Sequence, residues 1–249
     1  MIGSRFARQC TTSLRAYHHA MERRPNPHLD KYAFELAKED DRDRVLSLIL
    51  NRFIKVEPHS VACDFTKDTA AEFMSWIVDK SLQDDYSMTV TCKETGELIG
   101  FRLISTAHRD TSLDYQPFRL HLGKQDEGVQ ILGGLLRGVH KQIWDLRPNA
   151  NKILHREITY ITEEHQRKGL ATELVHLNIE EERLKADEID GIQSEATSFA
   201  MQQLLLSQGY KKLVESNKEE YFRSDGMPII FTDYTECIQL FYYELQKQR

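Results

Sequence analysis

The run ILHREITYITEEHQRKGLATELV, residues 153–175, constrains the fold more than any other part of the chain. Its first nine residues are rich in β-branched and aromatic side chains and predict a strand over 153–161. A polar turn with one glycine, Gly169, follows this strand, and the next residues predict a helix from Leu170. A strand that passes through a short turn into a helix is typical of a sheet with helices packed on it.

The start of this predicted helix is a candidate site for an anion. N–H groups in the first turn of a helix have no partner within the helix, and the helix dipole adds positive charge there. Small side chains at Gly169, Ala171 and Thr172 let a phosphate approach the backbone, and Arg167 and Lys168 contribute positive charge. An ordinary turn between a strand and a helix is the alternative interpretation.

The remaining patterns predict strands and helices that alternate along the chain. Before the run at 153–175 we expect a strand over 32–36, a helix that Pro58 stops, a helix from Asp68, a hairpin turning at Gly96 and a helix over 125–146. After the strand at 153–161 we expect a helix over 168–186, a strand over 191–196, a helix closed by Gly209, and strands near 210–216 and over 237–245. This alternation predicts a mixed α/β sheet that is covered on both faces.

Charge and composition exclude several classes of protein. The net charge of −6 argues against nucleic acid or an anionic membrane surface as a partner. No apolar run approaches the roughly 20 residues that a membrane-spanning helix requires. The cysteines Cys10, Cys63, Cys92 and Cys237 lie far apart without metal-binding spacing, so we predict free thiols in a reducing compartment and no metal site.

The amino-terminal segment differs in composition from the rest of the chain. Its first 21 residues contain arginines, serines and threonines but no acidic residue, as mitochondrial transit peptides do. A disordered basic tail in a cytoplasmic protein is the alternative. We predict a disordered basic segment over 1–29 and a single folded domain over 30–249.

Residues Gln166 to Ala171 match Q/R-x-x-G-x-G/A, the acyl-CoA signature of the GCN5-related N-acetyltransferase superfamily. EATSFAMQQLLLSQGY, residues 195–210, resembles the fourth-helix motif of that superfamily. NRFIKVEPHSV, residues 51–61, is similar to the insect-type arylalkylamine N-acetyltransferases within it. The resemblance extends over about residues 32–245 and implies a mostly antiparallel sheet with helices on both faces and splayed central strands.

The resemblance implies a cofactor and a set of binding residues. The co-substrate is acetyl-CoA, and the acceptor is a small primary amine that attacks the thioester directly in a ternary complex. The implied CoA-binding residues are Ile161, Thr162, Glu163, Gln166, Arg167, Lys168, Gly169, Leu170, Ala171, Thr172 and Ser198. Strand N–H groups near Tyr160 are expected to stabilise the oxyanion of the thioester.

The resemblance also assigns acid–base chemistry. Glu57 is the expected base, because an alkylammonium with a pKa of ~10 must lose a proton before it attacks. Leu205 stands where the superfamily often has a tyrosine that acts as the acid, and Met201 and Gln202 stand where the subfamily usually has a second hydroxyl. Ser198 acting through water, or no acid at all, is expected to suffice.

The acceptor pocket is less well defined by the sequence. The aromatic residues that are candidates for it are Phe53, Tyr115, Phe118, Trp144 and Tyr221, with core packing as the alternative, and residues 107–128 are a candidate cover. Two other functions stay open: acetylation of a protein or peptide amine, and non-catalytic binding of acyl-CoA, which Leu205 and Met201 favour.

Overall fold

The computed structural model describes residues 26–118, 127–216, 221–229, 231, 235 and 237–245. Its strands are β1 Tyr32–Leu36, β2 Met88–Cys92, β3 Leu98–His108, β4 Lys152–Ile161, β5 Gly191–Ala196, β6 Lys211–Glu215 and β7 Gln239–Glu244. They form one sheet in the order β1-β2-β3-β4-β5-β7-β6. Every neighbouring pair is antiparallel except β4 and β5, which are parallel. This confirms the predicted mixed, mostly antiparallel sheet.

The two central strands diverge after a short stretch of pairing. β4 pairs with β5 from Leu154 to Arg156 only, although it stays paired with β3 as far as Ile161. β5 likewise stays paired with β7 as far as Ala196. The second half of β4 therefore has an edge that β5 does not cover, as predicted for splayed central strands.

The helices pack on both faces of the sheet. They are α1 Arg42–Asn51, α2 Pro58–Ala62, α3 Lys67–Ser81, α4 Glu127–His140, α5 Ile143–Leu146, α6 Leu170–Leu174, α7 Glu181–Ala186 and α8 Phe199–Ser207. On one face, Val45 and Ile49 of α1 and Ile77 of α3 pack against Phe101 and Ile158. The opposite face is covered by residues from α7, α8 and the turn after α6. No helix in the described ranges is long and apolar enough to cross a membrane.

The helix predicted over 168–186 is wrong, because the chain breaks it into α6 and α7. Asn178 adopts a left-handed conformation (φ +61°) between them. Two arginines buried beneath the break bind the carbonyl groups that α6 leaves free. Arg102 donates to the carbonyls of Leu174 and Leu177, and Arg156 donates to that of Val175. Positive charge at a helix C-terminus is favourable, so these side chains stabilise the early end of α6.

Two further boundaries differ from the predictions. Pro58 does not end a helix: α1 stops at Asn51, and Pro58 is the first residue of α2, a position that suits its missing N–H. The helix predicted over 125–146 is found as α4 and the short α5. Gly128 has a packing role there, since a Cβ atom would lie 1.9 Å from the carbonyl oxygen of Cys63.

Candidate functional site

The turn between β4 and α6 presents a row of backbone N–H groups. Gly169 is the N-cap of α6 and has a left-handed backbone (φ +86°), as has Arg167 (φ +61°). None of the N–H groups from Arg167 to Thr172 donates to another backbone carbonyl in the part of the chain that the structure describes. Successive N–H groups in such a conformation form a concave anion-binding surface. The left-handed backbone at position 169 therefore favours a glycine there.

The turn is held in place by side chains that leave these N–H groups unused. Gln166 Nε2 donates to the Ile161 carbonyl at the end of β4 (2.9 Å). Lys168 Nζ donates to the Glu164 carbonyl (2.8 Å), and Asn26 Nδ2 donates to the Lys168 carbonyl (2.9 Å). Asn26 belongs to the segment predicted to be disordered, yet here it contacts the turn.

Two acidic residues connect this turn to the end of α1. The Glu163 carboxylate accepts from Tyr160 Oη (2.9 Å) and from Arg52 Nη2 (2.8 Å), and Arg52 also binds Glu164 (2.7 Å). Burial acts to raise the pKa of Glu163, but hydrogen bonds from Arg52, from its own backbone and from Tyr160 together lower it. Burial and Glu163 raise the pKa of Tyr160, so this phenol stays neutral. The Glu163 side chain is therefore engaged within the protein, and its carbonyl accepts from the Gln166 N–H (3.2 Å).

The uncovered edge of β4 lies beside Tyr160. Thr162 N–H donates to the Ile99 carbonyl of β3 (2.8 Å), and such bonds recur at every second residue of an antiparallel pair. The N–H of Tyr160 therefore points toward β3. The N–H groups of Thr159 and Ile161 point the other way, along the edge that β5 leaves. The predicted oxyanion donors near Tyr160 are thus groups of its neighbours, not its own N–H.

Glu57 is a buried helix cap rather than a surface acid. Its side chain accepts from the N–H groups of His59 (3.1 Å) and Ser60 (2.6 Å) and from Ser60 Oγ (2.6 Å), at the start of α2. His59 Nδ1 lies 3.8 Å from the carboxylate. Phe53, one turn before Glu57, packs edge-on against Tyr160 with ring centroids 5.6 Å apart. Glu57 and Tyr160 therefore lie on the same face of the sheet with Phe53 next to both. His59 and Ser60 were missed by the sequence analysis, although both stand in the quoted EPHS motif.

Ser198 and its neighbours serve structural contacts. Ser198 is the N-cap of α8, and its Oγ accepts from the Met201 N–H (3.3 Å). Leu205, at the position of the expected acid, is fully buried in the core. Gln202 donates to the carbonyls of Ala196 and Cys237 (3.1 Å each). It therefore links the last residue of β5 to the segment before β7.

The five aromatic residues proposed for an acceptor pocket do not converge. Phe53 and Phe118 lie in the core cluster of α1 and α3, where Phe118 packs on Phe73. Trp144 contacts Arg109 near the start of β4. Tyr115 is exposed. The pocket predicted from all five is therefore wrong, and residues 119–126 of the predicted cover lie outside the described residues.

Tyr221 does approach the candidate base. Its ring lies 5.8 Å from that of His59, and Phe231 lies 4.7 Å from the same imidazole. Tyr221 Oη also accepts from the N–H of Ile238 (3.0 Å). His59, whose Nδ1 lies 3.8 Å from the Glu57 carboxylate, thus packs against two aromatic rings, and Tyr221 is the one that belongs to the predicted set.

A buried polar network beside the divergence of β4 and β5 was missed altogether. His155 Nε2 contacts the Glu195 carboxylate, and His155 Nδ1 lies 2.8 Å from Glu157. Lys80 Nζ lies 2.6 Å from Glu157, and His140 Nδ1 lies 3.1 Å from Glu195. Burial alone lowers the pKa of His155, but the two carboxylates outweigh it and raise the pKa to about 9. Burial acts to raise the pKa of Glu157 and of Glu195. His155 and Lys80 nevertheless hold the pKa of Glu157 below its usual range, and His155 and His140 do the same for Glu195. No local sequence signal connects these residues, because they come from four separate elements.

No family model and no curated protein matches this chain. Many solved structures do match. Arylalkylamine N-acetyltransferase 2 from Aedes aegypti is 18% identical, covers 86% of this chain and 99% of its own, and has a TM-score of 0.70. The polyamine N-acetyltransferase of Drosophila melanogaster is 12% identical, and the match covers 86% of this chain and 100% of that one, with a TM-score of 0.65. The C-terminal condensation domain of Ebony, in complex with beta-alanyl-dopamine, is 19% identical. The match covers 86% of this chain and 99% of that one, with a TM-score of 0.64.

Proposed function

We propose that this chain, which has the fold of the GCN5-related N-acetyltransferases, transfers the acetyl group of acetyl-CoA to a small primary amine. One observation carries the proposal. Backbone N–H groups from Arg167 to Thr172, which donate to no backbone carbonyl within the described ranges, stand at the end of β4 where β5 has diverged. That arrangement suits a ligand with a phosphate group at one end and an extended amide chain at the other, as CoA has.

The proposed binding mode uses the backbone more than side chains. The pyrophosphate binds the N–H groups of Arg167 to Thr172, and the amide groups of the pantetheine arm pair with the open edge of β4 at Ile161. The thioester carbonyl then lies near the N–H groups beside Tyr160, which stabilise the oxyanion as it forms. Gln166 supports this geometry, since its amide ties the turn to the Ile161 carbonyl.

Glu57 is the proposed base in the reaction. An alkylammonium keeps its proton at neutral pH, so a base must remove it, directly or through water, before the nitrogen attacks. The Glu57 carboxylate is fixed by three donors and lies one turn from Phe53, which contacts Tyr160. The CoA thiolate is a fair leaving group, with a thiol pKa of ~8.5 by analogy with cysteine. Because Leu205, at the position of the expected acid, is buried in the core, we propose that the thiolate leaves without a dedicated acid. Ser198 acting through water is the alternative, since its Oγ accepts from the Met201 N–H and keeps its own O–H.

The acceptor is proposed to be an arylalkylamine. Similar structures are named for arylalkylamine and polyamine acetylation, and another holds beta-alanyl-dopamine. Aromatic side chains near Glu57, namely Phe53, Tyr221 and Phe231, favour an aryl group over a polyamine. Glu57 adds a negative charge that attracts the cationic amine.

The test is release of CoA from acetyl-CoA by the purified full chain with an amine panel. The panel contains tryptamine, dopamine, agmatine and a lysine-containing peptide. We expect release with the two arylalkylamines and little with the peptide. Preference for the peptide would support a protein acetyltransferase instead. Tight CoA binding without turnover on any amine would support a non-catalytic acyl-CoA-binding protein.

A further inference from the structure

We propose that His140, His155 and Glu195 bind a divalent transition-metal ion, with Zn²⁺ as the best fit. Each residue comes from a different element: His140 ends α4, His155 lies on β4 and Glu195 on β5. Two imidazoles and one carboxylate are a donor set that proteins use for zinc. None of these residues belongs to the Arg167–Thr172 turn or to the Glu57 cap, so the inference is independent of the proposed acetyl transfer.

The three donors already face one another. One ligand atom of each residue lies within 4.8 Å of the others. His140 Nδ1 is 3.1 Å from Glu195 Oε1, and His155 Nε2 contacts Glu195 Oε2. The two imidazole rings flank the carboxylate, with centroids 4.6 Å apart. Tetrahedral Zn²⁺ with bonds of 2.0–2.1 Å places its ligand atoms about 3.3 Å apart, so only small side-chain shifts are needed.

A carboxylate lies close to the second ring nitrogen of His155, as it does in many metal-bound histidines. Such a histidine usually turns its second ring nitrogen to a carboxylate, which fixes the ring and its tautomer. Here His155 Nδ1 lies 2.8 Å from Glu157. The same Glu157 oxygen is 2.6 Å from Lys80 Nζ and accepts from Ser105 Oγ at 2.6 Å. The supporting carboxylate is therefore itself held in position.

Gln193 supplies an independent indication of a ligand. Its side chain is fully buried and its amide lies on the site, with Nε2 2.9 Å from His140 Nδ1 and in contact with Glu195. Its Oε1 has no hydrogen-bond partner in the described part of the chain. Flipping the Gln193 amide by about 180° brings Oε1 to the site in place of Nε2. The protein then offers four donor atoms, which is the usual number for a structural zinc ion.

Binding replaces a proton with the metal ion. The ion takes the place of the proton between His155 Nε2 and Glu195, and that proton passes to solvent, while the imidazole keeps its other proton toward Glu157. The His140 side chain is 29% exposed and provides an entry path. The bound ion would fasten the end of α4 to β4 and β5, next to the last residue pair before these strands diverge.

The experiment uses the untagged full chain after treatment with a chelator. Zn²⁺ is titrated by calorimetry, and Co²⁺ by its visible absorption. We expect one ion per chain, a Co²⁺ spectrum of low coordination number, and a higher melting temperature with Zn²⁺. A chain that binds neither ion saturably, or a Co²⁺ spectrum identical to that of the aqueous ion, would overturn the proposal without any variant.

Variants then locate the ion. His140→Ala, at a partly exposed position, should weaken Zn²⁺ binding by about 100-fold or more. The matched control is His108→Ala, because His108 also faces a carboxylate, Asp114, at 2.9 Å but has no second histidine beside it among the described residues. The control should bind like the wild-type chain. Unchanged affinity in His140→Ala, or equal loss in both variants, would place the ion elsewhere and reject the site.

Discussion

The two five-residue helices α2 and α6 begin in opposite ways. At the start of α2, the Glu57 carboxylate accepts from two N–H groups of its own helix. At the start of α6, the cap is Gly169, which has no side chain to offer, and the neighbouring N–H groups stay open. Both helix starts favour negative charge. The protein supplies that charge itself at α2, whereas at α6 the pyrophosphate of CoA is proposed to supply it.

Removing the charge at the α2 cap should have the largest effect. Glu57→Gln keeps the shape of the side chain but cannot accept the proton of an ammonium, so kcat should fall roughly 100- to 1000-fold. The affinity for CoA should stay the same, because the α6 turn is untouched. Steady-state kinetics with tryptamine and calorimetry with CoA measure the two quantities.

Ser60→Ala is the control for Glu57→Gln. It removes one of the three donors to Glu57 and leaves the carboxylate. Its kcat should change much less than that of Glu57→Gln. Turnover of Glu57→Gln close to that of the wild-type chain would remove Glu57 from the mechanism and leave it as a structural cap only.

Giving α6 a cap like that of α2 is the converse change. Gly169→Asp places a carboxylate where the pyrophosphate is proposed to bind, and should weaken CoA binding roughly 100-fold through lost charge-assisted hydrogen bonds. Gly169→Asn is the matched control, since asparagine also tolerates the left-handed backbone but carries no charge. Equal weakening in both variants, measured by calorimetry, would attribute the loss to backbone strain and contradict the anion site.

Arg167 has a left-handed backbone in the same turn, so a substitution there tests how much strain the turn contains. Arg167→Gly should raise the free energy of unfolding by about 0.5–1 kcal/mol, because left-handed strain of about 1–2 kcal/mol exceeds the entropic cost of glycine. Lys168→Gly, with no such strain to relieve, should lower it. Denaturant unfolding measures both. A loss of stability in Arg167→Gly would mean that its side chain has a role that outweighs the strain.

The smallest effect on CoA affinity is expected from a change at Asn26, in the amino-terminal segment. Asn26→Ala loses one hydrogen bond to the turn and should cost about 0.5–1.5 kcal/mol of stability. CoA affinity should stay within about threefold of the wild-type value, because the open N–H groups are not its partners. A large loss of affinity would instead make Asn26 part of the CoA site.

Local signals predicted the α6 turn well and the rest of the site less well. The strand over 153–161, Gly169 and the helix start are encoded in one short run, so each could be read from neighbouring residues. The end of that helix could not, because Arg102 and Arg156 reach it from β3 and β4. Pro58 illustrates a different limit, since proline suits both the residue after a helix and the first residue of one.

Contacts between distant parts of the chain could not be predicted from the sequence. His140, His155 and Glu195 are separated by 15 or more residues, and nothing in their spacing brings them together before the sheet forms. The same holds for the aromatic residues, of which Phe53 and Tyr221 approach Glu57 while Trp144 packs near the start of β4.

The buried arginines beneath α6 have a consequence for ligand affinity. A helix of five residues is far too short to hold its shape alone in water. Arg102 of β3 and Arg156 of β4 fix its carbonyl end to the sheet, so its amino end is already ordered when no ligand is bound. A ligand that binds there loses little free energy to the ordering of the protein, and more of the contact energy is expressed as affinity.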